Sequence, residues 1–233
     1  MIVMTRATVL RGLLQNGRDY GVPWLEEFAL DLDLPVADVL VVAGHPVPGH
    51  LLPPERDQKV LREFAYRVTY CNHMQLTALG EFLHAMPDER SAAEPRPARD
   101  LADPDPFPAV LRGLMANRGF GAREVPFVGL SRSTIAGMLG GAWHQLPQLQ
   151  AVAGLLGWRL NDLAVLASEP VQPLDHGPMF CRHVGAVFLA AVPRTSKQLT
   201  RAAHEADRLS SRQDDGLWRP VSKGIEDCPD AEV

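Results

Sequence analysis

Cys71 and His73, and again Cys181 and His183, set a thiol and an imidazole two residues apart, and both groups are ordinary zinc ligands. Residues two apart on a helix point to different sides, so neither pair can close a tetrahedral site, and no C-x-x-C or H-x-x-x-H companion is present. No metal is expected. His45, His50, His84, His144, His176 and His204 are scattered among loops and helix ends, the usual place of a surface or capping histidine. The chain has no G-x-S-x-G elbow, phosphate loop or dinucleotide fingerprint. The apolar run 184–192 reads as a buried helix, and Trp143 and Trp158 as packing residues. No constellation supports an enzyme, and no cofactor is expected.

One segment keeps a direct physical route to a function. Residues 129–135 read Gly-Leu-Ser-Arg-Ser-Thr-Ile between two apolar helical stretches. Gly129 can take the positive φ of a sharp turn, Leu130 can fill the angle between helices, and Ser131 can cap a helix that starts at Arg132. Ile135 and Leu139, at i and i+4, face the core in this reading. Arg132, Ser133, Ala136 and Gly137 are then left outward, where a helix could enter a DNA groove. Arg132 and Ser133 would lie nearest the bases and Thr134 and Gln145 near phosphates, with the cap Ser131 in the same DNA-binding set.

With its flanks, 107–170 resembles a helix-turn-helix domain of the Xre/lambda-repressor-like family. A first helix at 107–118 precedes the turn pair 121–128 and 131–139, and helices at 146–156 and 160–167 close a five-helix set. The run Leu149-Gln-Ala-Val-Ala-Gly-Leu-Leu-Gly-Trp-Arg-Leu-Asn-Asp-Leu163 is similar to the family's closing stretch. The sequence departs from the pattern at Glu124, where an apolar residue is usual, and at Pro126, which deletes a helix hydrogen bond. The resemblance implies an all-α, sequence-specific transcriptional regulator that binds double-stranded DNA as a homodimer, on half-sites about one duplex turn apart. The alternative is a non-enzymatic docking protein whose helix-turn-helix only packs. A third, weaker reading is an effector-sensing regulator with a pocket in 176–225.

An internal repeat runs through the chain. Residues 23–47 align without gaps on 147–171, with Pro23/Pro147, Leu25/Leu149, Ala29/Ala153, Leu32/Leu156, Asp38/Asp162, Val41/Val165 and Ala43/Ala167 among the identities. Val9-Leu-Arg-Gly-Leu-Leu14 also matches Val110-Leu-Arg-Gly-Leu-Met115, at a spacing shorter by the length of a turn pair. The N-terminal copy therefore reads as a degenerate helix-turn-helix scaffold without a reading head. Its first helix needs a cover, either the amphipathic stretch 54–86 or a second chain.

Four parts follow: an N-terminal helical domain at 1–86, a proline-rich extended linker at 87–106, the motif domain at 107–175, and a helical extension with a flexible tail at 176–233. The extension holds helices at 179–192 and 196–209, the second capped by Ser196 with Leu199, Ala202, Ala203, Ala206 and Leu209 buried. No strand pairing is expected. With 233 residues, 46% apolar and 22% charged, the chain is large enough for two domains. Its net charge of −5 disfavours a large nonspecific nucleic-acid surface. Residues 1–53 carry three cations against six carboxylates, whereas 109–175 carry five against four. Cations of the last segment, such as Arg182, Arg194, Lys197, Arg201 and Arg208, could grip phosphates. Twenty arginines against three lysines fit a GC-rich bacterial genome. The start shows no signal-peptide pattern, no apolar run nears the roughly 20 residues of a membrane span, and the three cysteines have no paired spacing. A reduced, cytoplasmic protein with no membrane contact is expected.

Overall fold

In the computed structural model, which describes residues 5–89, 93–98, 105–121, 130–142, 145–170 and 179–211, the protein is all-α. Eleven α-helices occur among the described residues: α1 (Arg6–Asn16), α2 (Val22–Asp31), α3 (Val36–Ala43), α4 (Gln58–Val68), α5 (His73–His84), α6 (Phe107–Ala116), α7 (Arg132–Leu139), α8 (Leu146–Leu156), α9 (Leu160–Leu166), α10 (Met179–Ala191) and α11 (Ser196–Ser210). Extended pairing among them is limited to an isolated antiparallel bridge between Val47 and Arg96.

Side-chain caps set many of the helix starts. Thr5, Asp57, Asn72 and Ser131 each accept an amide of the following first turn, and proline occupies the first turn of α2, α6 and α8, where its missing N–H costs nothing. At α11 the cap is Thr195, paired reciprocally with Gln198, and not Ser196 as the sequence suggested. Ser196 Oγ instead accepts the Asp57 amide at the start of α4.

Arginines close helix C-termini across the molecule. Arg18 donates to Gly44 O after α3, Arg112 to Leu139 O of α7, Arg118 to Leu156 O of α8, Arg56 to Ala191 O of α10, and Arg194 to Met86 O and Pro87 O after α5. The last carbonyls of a helix lack intrahelical partners and carry partial negative charge, so a guanidinium satisfies both demands at once. Burial lowers the Arg56 pKa to about 10, still cationic at neutral pH.

The sequence repeat is also a backbone repeat. α2 and α3 start at the positions equivalent to the starts of α8 and α9, and their ends agree to within one residue. Asp33 (φ 48°) and Gly157 (φ 71°) occupy equivalent left-handed positions, and so do Gly44 (φ 73°) and Ser168 (φ 59°). The closing hydrogen bonds correspond too, Leu34 N to Ala29 O with Trp158 N to Ala153 O, and His45 N to Leu40 O with Glu169 N to Ala164 O. Geometry at these turns outlasted the identity of the residue that adopts it.

The two copies are interleaved. α1 packs on α9 of the other copy as well as on its own α3, and α6 packs on α3. Gly113 permits the second contact, since a Cβ there would stand 2.5 Å from Val41 Cγ1. Leu10 and Leu13 of α1 are fully buried in this way, so α9 and α3 supply the cover expected from 54–86 or from a second chain. α4 and α5 pack instead with α10 and α11, and α10 ties that layer to α8. One continuous apolar cluster runs from Leu10 to Ala206. The stretch 87–106 therefore separates two parts of the sequence and not two bodies. Its described portion is held down: Val47 and Arg96 exchange backbone hydrogen bonds, Ala93 N donates to Gly49 O, and the Arg96 guanidinium donates to Gly113 O and Asn117 Oδ1.

Candidate nucleic-acid interface

α7 is a two-turn helix laid on α6. Leu130, Ile135 and Met138 are buried, while Leu139 is only partly covered. The inward pair is thus Ile135 with Met138, and not Ile135 with Leu139. The i, i+3 line meets α6, and Arg112 of α6 reaches the Leu139 carbonyl, with Nη1 to O at 2.6 Å. Gly141 (φ 82°) turns the chain out of the helix, with Ala142 N donating to Gly137 O and Gly141 N to Met138 O.

Ser131 caps the helix as the sequence suggested. Its Oγ accepts the Thr134 amide at 3.0 Å and lies 2.7 Å from Ser133 Oγ and 2.8 Å from Thr134 Oγ1. Three hydroxyls thus gather at the positive end of the helix dipole, where oxyanions are favoured. Ser131, Arg132, Ser133, Ala136 and Gln145 are exposed, and Thr134 and Gly137 are half-buried. Arg132 forms no ion pair among the described residues. Gln145 stands at the start of α8, where its amide donates to Gln148 Oε1. Residues 122–129, with Glu124, Pro126 and Gly129, lie outside the described residues, as do Trp143 and the stretch 212–233.

Arg112 is an exposed cation on this surface that sequence reasoning missed. Its signal was the Leu-Arg-Gly it shares with residues 10–12 in the repeat. Among the cations offered for phosphate contact, Arg194 is buried at the end of α5 and Arg208 is held by Glu205. Arg208 and Arg201 sit on α11, which packs on α4 and α5, whereas α7 packs on α6.

Behind the surface a buried polar network locks the copies together. Asp38, in the first turn of α3, accepts from Arg118 Nη1 (2.9 Å) and Nη2 (2.8 Å), Asn117 Nδ2 (2.7 Å) and Trp158 Nε1 (2.8 Å). All four donors come from the other copy. Its repeat equivalent, Asp162 in the first turn of α9, accepts from Arg6 of α1 at 2.6–2.8 Å. Each carboxylate also stands in the first turn of its own helix, at the positive end of the dipole.

The cysteine and histidine pairs meet only in part. His73 and His183 bring their rings to 6.1 Å across α5 and α10. The Cys71 thiol is directed elsewhere, toward Arg67 O and Ala206 O. Among the described residues no group of three or more His, Cys, Asp or Glu side chains is placed to hold a metal. No helix there is long and apolar enough to cross a membrane.

No protein-family model, curated protein sequence or solved structure matches the chain.

Proposed function

We propose that the protein is a bacterial, cytoplasmic transcriptional regulator of the Xre-like kind, binding double-stranded DNA through α7 and acting as a homodimer. The observation that carries this reading is the outward side of α7, where Arg132, Ser133 and Ala136 stand exposed beside a serine-capped N-terminus. In the major groove the Arg132 guanidinium can donate two parallel bonds to guanine O6 and N7, and Ala136 can meet a thymine methyl. The Ser131, Ser133 and Thr134 hydroxyls, Gln145 and the helix N-terminus suit phosphate oxygens. Gly137 adds no side chain and lets the backbone approach. The protein does no chemistry in this role.

The experiment is operator selection from a random duplex pool, followed by affinity measurement for Arg132→Ala/Ser133→Ala. A lost base contact costs about 1–3 kcal/mol, so a fall of roughly tenfold or more with relaxed preference is expected. Affinity should also drop steeply with added salt as phosphate counterions are released. Unchanged affinity and preference in the double variant would remove α7 as the reader. Failure of the wild-type protein to retain any duplex at low salt would leave the docking-protein reading in its place.

A further inference from the structure

The repeat gives each copy a helix in the same place, yet only one of the two is covered from outside. On α8 the ridge Gln148, Ala151, Gly154 runs at i, i+3, i+6, and α10 packs against this helix so closely that a Cβ on Gly185 would stand 2.0 Å from Gly154 O. The equivalent ridge on α2 is Trp24, Glu27, Leu30. Among the described residues it has no such cover: Trp24 is 60% and Leu30 81% exposed, and Val22 beside them is 44% exposed. Tyr20 and Phe28, which flank Trp24 in sequence, pack edge to face at 5.6 Å.

We propose that this α2 ridge is a docking site for a basic amphipathic helix of a partner protein. The charge around it selects the occupant. Asp19, Glu26, Glu27, Asp31 and Asp33 are all exposed there, and no lysine or arginine occurs between Arg18 and Arg56. A second copy laid antiparallel would set Glu27 beside Glu27 and carboxylate against carboxylate, which opposes self-association. A helix with an apolar stripe flanked by Lys or Arg matches both features, its stripe on Trp24 and Leu30 and its cations among the five acids. The large side chains at 24 and 30, where α8 has Gln148 and Gly154, hold such a helix at side-chain distance, so the contact is a reversible one and not a copy of the α8–α10 seam. The inference stands apart from the DNA reading, because α7 lies in the other copy.

The test uses the full chain and two synthetic 18-residue helical peptides, a leucine stripe flanked by lysines and the same stripe flanked by glutamates. Labelled-peptide anisotropy and hydrogen exchange are the readouts. The lysine peptide is expected to bind, to protect the amides of 19–33, and to weaken at least tenfold in Trp24→Ala/Leu30→Ser and at high salt. The glutamate peptide is expected not to bind. Both substituted positions are exposed, and unchanged helical circular dichroism checks that the variant folds. Protection elsewhere, no binding, or equal binding of the two peptides overturns the proposal. So does a dimer in sedimentation that Leu30→Ser dissolves, since a second copy is then the occupant.

Discussion

Asp38 collects four hydrogen bonds from three side chains of the other copy, at a site where carboxylate and guanidinium are 0% and 1% exposed. Removing one partner from such a pair strands a buried charge, at a cost of about 3–5 kcal/mol. Arg118→Ala should therefore shift urea unfolding by that order. Arg6→Ala, at the equivalent Asp162, should cost clearly less, because the Arg6 side chain is 23% exposed and water can take its place. Equal costs in the two variants would contradict this ordering. Cys71 behaves differently. Burial, aided by Asp207, pushes its thiol up to about 11. Between the ordinary thiol range and that value the native state keeps a proton the unfolded chain has lost. Stability is thus intact below the ordinary thiol pKa and falls as pH rises through the window. Cys71→Ala should flatten the decline in unfolding midpoint between pH 8 and pH 10.5, and an unaltered slope would count against the burial account.

At the scale of helices, contact distance is decided by glycines and contact direction by arginines. Gly185 lets α10 touch α8 backbone to backbone, while five arginines anchor helix ends to elements distant in sequence. A methyl at 185 must push α10 off α8 or strain both. Gly185→Ala should destabilise by about 1–3 kcal/mol, read as a lower thermal midpoint, although alanine is the better helix former. A stabilised variant would show that the seam is looser than described. The excess of arginine over lysine takes on a structural sense here. A planar fork reaches separate carbonyls with separate nitrogens, as Arg118 does with Nη1 on Leu114 O and Nη2 on Leu156 O, where an ammonium would act as a point charge.

For the molecule as a whole, interleaving means that neither copy can bury its first helix alone. Fragment 1–86 would lose α9 from α1, α6 from α3, and the pair α10 and α11 from α4 and α5. It should show little stable helix by circular dichroism. Mixed with 105–233 it should regain helix and co-elute. The intact chain should unfold in one transition, coincident by fluorescence and circular dichroism. Two separated transitions, or a well-folded 1–86, would restore the picture of independent domains.

Much of the helix layout could be read from the chain before any coordinates, because it depends on local causes. Residues 146–156 and 179–191 announce themselves through apolar period and flanking Pro and Gly, Ser131 through its hydroxyl before a periodic run, and the repeat through its identities. Partner choice has no such local signature. Nothing near Leu10 names α9 as its cover, and nothing near Arg118 names Asp38 or the Leu156 carbonyl, since these contacts are made by groups tens of residues away whose packing depends on the whole chain. The candidate surface divides the same way. The cap and Arg132 were visible in seven residues, whereas the inward pair Ile135/Met138, the pinning by Arg112 and the bare ridge on α2 arose only when both copies closed on one core.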